Sequence, residues 1–268
     1  MPRNYWLFFA LALASPVQAQ PGLQSGEQPQ LIRWHAPVDR PMAGNYVGES
    51  GIKPEILTEG FLSAHPDLRW RREGLYSYNR KQYDIAMNQF RRAARYGDKP
   101  SQAMLAEMYW KGIGTAQDRG LGYAWMDLAA ERKYANFLIM RERYWRELDA
   151  AQQQDAIERG QPLLAEYGDD VAKPRMSWVL KRERLTMTGT RTGSLAMAGP
   201  IRIIPMTGPM SGTGLILSGE EYYQKKYWAP KEYWEWQDEV WSAPRKGKVD
   251  VGEVETVHGS KQAGDKKP

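Results

Sequence analysis

Three histidines are the residues of this chain best suited to acid-base chemistry or metal binding, and they lie far apart: His35, His65 and His258. None has a second ligand at the spacing that a metal site uses, and the chain contains no cysteine. A nucleophilic serine on a G-x-S-x-G turn is also absent from the sequence. The sequence therefore predicts a protein that is not an enzyme and that holds no metal and no cofactor.

Four carboxylates and one glycine-rich segment are the other features that could do chemistry. The carboxylates Glu107, Asp118, Glu142 and Asp169 could serve as acids or bases, but no spacing singles out a pair. Because Asp and Glu are usually exposed or paired, we expect solvated or capping roles for them. The segment Gly212-Thr213-Gly214 lacks the further Gly and the Lys-Ser/Thr of a phosphate loop. Neither feature predicts an active site.

Residues 1–19 have the layout of a cleavable signal peptide. Arg3 precedes an apolar run over residues 6–14, and Val17-Gln18-Ala19 offers a cleavage site. The run is shorter than the roughly 20 residues that span a bilayer, and no later segment is long and uncharged. We therefore expect an exported protein, periplasmic or secreted, with no integral membrane segment in the mature chain. Without cysteine, packing alone must stabilise it.

The positioning elements are predicted to be helices between residues 53 and 168. Residues 20–52, rich in Pro, Gly, Gln and Ser, show no apolar period and predict a flexible lead-in. The clearest helix is predicted from Tyr83 to Tyr96, and a helix over about 150–166 is the expected capping helix. Further apolar stripes at helical spacing raise the total to at least six short helices. Their members are Leu68, Leu75 and Tyr76; Leu105, Met108 and Tyr109; Leu121, Trp125, Leu128 and Ala129; Ala135, Leu138, Ile139 and Trp145; and Ala156, Ile157, Leu163 and Leu164.

Paired alanines indicate an internal repeat. Ala93-Ala94 ends one predicted helix and Ala129-Ala130 ends a later one, and an aromatic residue, Phe90 or Trp125, lies about one turn before each pair. Small residues at these positions let neighbouring helices approach closely, whereas the aromatic side chains fill the wider gaps. The spacing therefore predicts helical hairpins that stack in series.

The run Ala103–Asp118 and the helix after it resemble a Sel-1-like repeat, a relative of the tetratricopeptide repeat (TPR). In that family the first helix ends in Tyr, a Gly-x-Gly loop leads to an Asp, and the second helix carries an aromatic residue and paired alanines. The chain differs at Ala106, where the family favours Gly, at Gly122, where it favours Ala, and at Lys133, where it favours Gly. The matching positions are Leu105, Tyr109, Gly112, Gly114, Asp118, Trp125, Ala129 and Ala130.

The resemblance implies a mainly α fold, a short TPR/Sel-1-like helical-repeat solenoid with a concave surface that binds another protein. Helix pairs of this kind bury their apolar faces against neighbours, so the repeats over residues 53–168 need caps. We expect the contact residues on the inner helices, with Arg72, Tyr76, Glu107 and Trp110 as the candidates. The partner is expected to be a protein or peptide.

A strongly basic stretch lies between residues 69 and 99. One interpretation is that these residues form the solvated face of two helices, which is the ordinary place for charge on a helix. The other is that they attract an acidic protein or an anionic envelope polymer. Nucleic acid is not expected, because the protein is exported and its net charge is only +5. The basic residues are Arg69, Arg71, Arg72, Arg80, Lys81, Arg91, Arg92, Arg95 and Lys99.

The C-terminal third differs in composition from the helical part of the chain. Residues 169–217, rich in Gly and Thr, predict an irregular, partly extended segment with strand-like fragments at 178–180, 201–204 and 215–217. In the aromatic-rich segment 218–242, Ser218 and Glu221 form a capping-box pattern and Pro230 can open a second short helix. Residues 243–268 predict a disordered tail.

The segment 218–242 is so rich in aromatic residues that we expect them either to be buried in the fold or to bind a ligand. One interpretation is a clasp that folds back onto the helices, since exposed apolar patches of this size are rare. The other is a sugar-stacking platform on Trp228, Trp234 and Trp236. Two functional hypotheses follow: an exported, non-catalytic scaffold that binds another protein, and a cell-wall glycan-binding or cell-wall-modifying protein.

Overall fold

The fold is mainly α. A computed structural model describes residues 52–188, 202–203 and 217–242. The helices are α1 (Glu59–Ala64), α2 (Pro66–Asn79), α3 (Tyr83–Ala94), α4 (Lys99–Lys111), α5 (Arg119–Ala129), α6 (Ala135–Glu147), α7 (Ala150–Tyr167), α8 (Asp169–Thr188), α9 (Gly219–Tyr222), α10 (Lys225–Trp228) and α11 (Pro230–Ser242).

The first helical hairpin consists of α2 and α3. Pro66 lies in the first turn of α2, where its missing N–H needs no partner. The turn between the helices places Lys81 at a φ of 61°, and α3 then begins at Tyr83, as predicted. A Cβ on Gly74 would come within 2.5 Å of the Phe90 ring, so this glycine permits the close packing of α2 against α3.

The second hairpin consists of α4 and α5. Asp98 caps α4 by accepting from a backbone N–H, and Gly112 ends it in the left-handed region at a φ of 71°. Asp118 caps α5 in the same way. A Cβ on Gly122 would lie 2.9 Å from the backbone nitrogen of Trp110, so the two helices meet backbone to backbone. Nearly all of α4 is buried.

Helices α6 and α7 complete the six that the apolar stripes predicted, and α7 packs on α5. A capping box between Asp149 and Gln152 begins α7. The predicted stripes were wrong at five positions, which the structure leaves exposed. Tyr76 and Ile139 are 63% and 65% exposed, and Ala135, Ile157 and Leu164 are also exposed. The sequence predicted the helical spacing correctly, but it did not predict for every helix which side faces the core.

Helix α8 corrects the prediction that residues 169–217 avoid regular helix. Asp169–Thr188 is helical, with Pro174 accommodated inside it. Ala172, Met176 and Leu180 recur on one face and are fully buried, so tertiary packing stabilises a helix whose composition argued against one. Helix α8 directly follows α7 in the chain and contacts it.

Residues 202–203 and 217–218 pair as two very short antiparallel strands, Arg202–Ile203 and Leu217–Ser218. Ser218 then caps α9 by accepting from the backbone N–H of Glu220, which confirms the predicted helix start. The second half of the predicted capping box is not formed, because Glu221 binds Lys53, with Nζ to Oε1 at 2.6 Å. Pro230 opens α11, as predicted.

Helices α9–α11, residues 219–242, fold back onto the preceding helices, and we call this segment the clasp. One core lies among α2 to α7 and takes Trp241 from the clasp. The second core joins α1, α2 and α8 to Trp228 and Tyr233 of the clasp, among others. The aromatic residues are therefore mainly interior, as the clasp interpretation predicted.

Several sequence predictions fall outside the described residues: the signal peptide at 1–19, all of the lead-in except Ile52, the segment Gly212-Thr213-Gly214, and the tail at 243–268. Ile52 itself is buried in the second core. None of the helices in the described ranges is long and apolar enough to cross a membrane.

Candidate functional site

The four predicted contact residues do not share one surface. Arg72 and Tyr76 lie on the exposed face of α2, whereas Glu107 and Trp110 of α4 are only 2% and 7% exposed. Trp110 stacks on the ring of Tyr144 in α6, with ring centroids 3.9 Å apart. The prediction of Glu107 and Trp110 as contact residues is therefore wrong, because neighbouring helices enclose α4.

A groove with a volume of about 260 Å³ runs beside Arg72 and Tyr76. The segment leading into α1 and α1 itself contribute Leu57 and Leu62, α2 contributes its exposed face, and α3 contributes Gln89. On α2 the lining positions follow one another at helical spacing, so they form a continuous stripe. We call this feature the α2 groove.

Charges in the α2 groove are unevenly paired. Arg69 binds Glu73 at 2.9 Å and Glu59 at 3.4 Å, so its charge is locally balanced. Arg72, one turn further along α2, has no ion-pair partner among the described residues and is exposed. Tyr76 then presents an aromatic ring that is 63% exposed. The groove therefore places an unpaired cation between a balanced charge cluster and an aromatic side chain.

The basic stretch divides in the structure into paired and unpaired cations. Arg69 and Arg95 bind carboxylates at the surface, and Arg71 and Lys99 do so in the interior. The others make no ion pair with any carboxylate in the described part of the chain, and all of them lie on α2, α3 or the turn between them: Arg72, Arg80, Lys81, Arg91 and Arg92.

Aromatic groups contact three of these unpaired cations. The Arg92 guanidinium lies over the ring of Trp70, 4.4 Å from its centroid. Arg80 donates to the hydroxyl of Tyr76 at 3.0 Å, and Arg91 donates to the hydroxyl of Tyr109 at 2.5 Å. Such contacts orient a guanidinium without neutralising it. The α2 and α3 surface is therefore a set of positioned positive charges.

Gln89 adds an unsatisfied acceptor to the α2 groove. Its side-chain oxygen is shielded from solvent and has no hydrogen-bond partner in the described structure. An amide oxygen shielded in this way costs free energy until a donor reaches it. Because this oxygen is shielded, a ligand N–H or O–H would reach it only if the Gln89 side chain rotated toward the groove that it lines.

The proposed sugar-stacking tryptophans are not an exposed platform. Trp228 is fully buried and Trp236 is 6% exposed. Trp234 is partly buried, and Arg132 lies over its ring at 4.5 Å from the centroid while Lys173 approaches the ring at 5.5 Å. Two of the three rings are thus enclosed by protein, and two cations lie close to the third.

Buried polar contacts fix the clasp to α1 and α2. The hydroxyl of Tyr233 donates to Asp67 on α2, and Gln237 donates to the same hydroxyl at 3.2 Å. Burial raises the pKa of Asp67 to about 6, and the nearby Asp98 carboxylate adds to that shift. Arg71 binds Asp98 at 2.6 Å. The Asp67 carboxylate is therefore a charged group kept in the interior at neutral pH.

His65 is the second buried titratable group at this junction. Its ring nitrogens lie 2.7 Å from the carbonyl oxygen of Phe61 and 2.8 Å from that of Tyr227. The two carbonyl groups favour the protonated ring, but burial is the larger effect and lowers the pKa to about 4. A neutral ring carries one N–H and therefore donates to only one of these two carbonyl oxygens, while it contacts both α1 and the clasp and is enclosed by protein.

A second buried charge cluster joins α4 and the turn that follows α5 to α8. The side chain of Lys99 is fully buried and binds Glu131 at 2.6 Å and Asp169 at 3.1 Å. Arg132 binds Asp169 at 2.7 Å and also donates to the carbonyl of Gly97. Burial by itself would raise the pKa of Asp169, but the Arg132 hydrogen bonds and the Lys99 charge hold it well below its usual range. This network is structural.

The residues that match the Sel-1-like pattern have structural roles. Gly112 and Gly114 adopt positive φ values of 71° and 73°, and Asp118 caps α5 and binds Arg159 at 2.5 Å. Tyr109 is half-buried and accepts the hydrogen bond from Arg91. The remaining matching residues are in the core: Leu105, Trp125, Ala129 and Ala130.

Sequence reasoning missed the residues that complete the α2 groove. Leu57, Leu62 and Gln89 come from three segments, and no spacing along the chain connects them. The sequence did show a polar stripe with Arg69 and Arg72 on α2. It did not show which other segments lie beside that stripe. Across residues 52–188, 202–203 and 217–242 no group of three or more His, Cys, Asp or Glu side chains is arranged to hold a metal.

No protein-family model matches this chain, and no curated protein or solved structure matches it.

Proposed function

We propose that this protein is an exported, non-catalytic helical-repeat scaffold that binds another protein through the α2 groove. The observation that carries the proposal is an exposed α2 stripe with an unpaired cation, Arg72, and an exposed aromatic ring, Tyr76, beside an apolar-lined groove. Unpaired charge and exposed aromatic surface next to each other are typical of interaction sites.

The deviations from the Sel-1-like pattern support membership of that repeat class. Gly122 of α5 faces the backbone of Ala106 and Trp110 in α4, with a would-be Cβ 3.1 Å from the Ala106 carbonyl oxygen. The family favours the reverse placement, with Gly in the first helix and Ala in the second. In either order a Gly faces an Ala, so the two helices can approach closely. Lys133 has a φ of 60°, a conformation in which Gly is preferred. The departures therefore respect the geometry that the motif requires.

A scaffold accounts for the buried ionisable groups better than an active site does. His65 and Asp67 lie within the junction of the clasp with α1 and α2, and Lys99 and Asp169 bind each other in a closed network. These groups are engaged in holding helices together, and they do not line the α2 groove. Ionisable groups with perturbed pKa values often mark catalytic sites, but ion-pair networks perturb them too.

Site-specific photocrosslinking in the envelope of the producing cell tests the proposal. A benzoylphenylalanine at position 76 should yield a discrete crosslinked protein, because the Tyr76 side chain is exposed beside the groove. The same probe at position 139, where Ile139 is equally exposed on α6, supplies the matched control. The crosslink should disappear with Arg72→Glu. No adduct from position 76, or the same adducts from both positions, would refute the proposal.

The glycan hypothesis is tested by sedimentation with purified cell wall. The protein should stay in the supernatant, since Trp228 and Trp236 are buried and the Trp234 ring is covered by cations. Co-sedimentation that Trp234→Ala abolishes, while the far-ultraviolet circular dichroism stays unchanged, would favour glycan binding over the scaffold.

A further inference from the structure

We infer that the segment bound by the α2 groove is an acidic peptide of a partner protein, with an apolar side chain next to its carboxylates. The inference rests on the proposed function and adds the chemistry of the partner.

Charge provides the first step. Arg72 is the cation of the groove without a carboxylate partner among the described residues, whereas Arg69 already binds Glu59 and Glu73. Beyond the groove, Arg80 and Arg92 continue the unpaired positive surface on α2 and α3. A ligand carboxylate at Arg72 would gain a charge-assisted hydrogen bond without breaking an existing ion pair. A basic ligand would meet repulsion along the same surface.

The apolar part of the lining provides the second step. Leu57 and Leu62 contribute to the groove together with the ring of Tyr76. The volume of about 260 Å³ is below the roughly 300–1,000 Å³ of sites that enclose whole small molecules. It suits one or two side chains of a longer ligand. A side chain such as Leu or Phe would bury apolar surface there while its neighbours reach the arginines.

Gln89 provides the third step and separates a peptide from a phosphate polymer. Its shielded side-chain oxygen lacks a donor within the described structure, and a rotation of the side chain toward the groove would offer this acceptor to a ligand. A peptide carries a backbone N–H at nearly every residue, whereas a polyphosphate chain carries no N–H. The groove therefore offers complementary groups for three features that occur together in an acidic peptide: carboxylate, apolar side chain and amide N–H.

The test is a selection from a random twelve-residue peptide library displayed on phage. The purified chain serves as bait, and the library is first depleted on the double variant Arg72→Glu, Tyr76→Ala. Enriched peptides should carry Asp or Glu next to Leu, Ile, Phe or Trp. The best synthetic peptide should lose at least about tenfold in affinity with Arg72→Gln and with Gln89→Leu, and its affinity should fall as salt rises. Arg143→Gln on α6, an exposed arginine outside the groove, is the matched control.

Enrichment of neutral or basic peptides, no enrichment at all, or equal binding to Arg72→Gln would overturn the inference. Displacement of the acidic peptide by inorganic polyphosphate at equal charge concentration would also overturn it, since charge alone would then explain binding. The two proposals fail separately. A crosslink from position 76 combined with non-acidic selected peptides leaves the scaffold standing, whereas the loss of both removes the site.

Discussion

Replacing Asp67 with asparagine should change how stability depends on pH. Burial raises the pKa of Asp67 from 3.8 to about 6, so between these values the folded chain binds a proton that the unfolded chain has released. Folding stability contributed by this group is therefore lost as pH rises through that window. Over the full pKa shift, the folding free energy lost amounts to about 3 kcal/mol. The part of this loss that falls between about pH 4 and about pH 7.5 is about 2 kcal/mol. An amide side chain does not titrate in this range, so Asp67→Asn lacks this loss.

The assay is urea unfolding followed by tryptophan fluorescence and far-ultraviolet circular dichroism at several pH values. The free energy of unfolding of the wild type minus that of Asp67→Asn should fall by about 2 kcal/mol from about pH 4 to about pH 7.5. The difference isolates Asp67 from His65, whose lowered pKa acts in the opposite direction by favouring the folded state as pH rises. Asp84→Asn, an acid-to-amide change at an exposed position on α3, is the matched control. A constant difference, or one that grows with pH, would refute the burial of an ionised Asp67.

Three further substitutions test the packing by urea unfolding. Gly122→Ala should cost about 1–3 kcal/mol, and Ala106→Gly in the same chain should recover part of it; an unchanged unfolding midpoint would contradict the backbone contact between α4 and α5. Lys133→Gly should gain about 0.5–1 kcal/mol by relieving the positive φ, and a loss would argue against that conformation. Asp169→Asn should cost about 3 kcal/mol by leaving buried Lys99 short of a partner, and a neutral result would mean that Lys99 is solvated.

The helices could be predicted where local signals agree. In α3 the apolar period, the turn before Tyr83 and the alanines at its end all indicate the same element. Helix α8 was missed because Pro174 and the surrounding composition disfavour a helix locally, and the burial of Met176 and Leu180 against distant helices outweighs that preference. Propensity is a local quantity, whereas this burial depends on residues far along the chain.

The candidate site could be predicted only in part for the same reason. A polar stripe marks Arg72 as exposed on α2, but the inner position of Glu107 and Trp110 indicated contact residues that the structure encloses. The stacking of Trp110 on Tyr144 links segments whose separation no motif spacing encodes. The resemblance to a repeat supplied the hairpin geometry without saying which face stays open to solvent.

The clasp also has a consequence for the order in which this protein can mature. His65 reaches Tyr227, and Lys53 reaches Glu221, across 162 and 168 positions of the chain. During synthesis, the aromatic pocket around Phe61 stays open until the clasp has emerged from the ribosome. Of the described helices, α1 and α2 are thus made first but are among the last to finish packing, and long-range closure of this kind is slow and leaves apolar surface open to aggregation meanwhile. A chaperone that shields α1 and α2 during that interval would prevent the aggregation to which this chain topology exposes them.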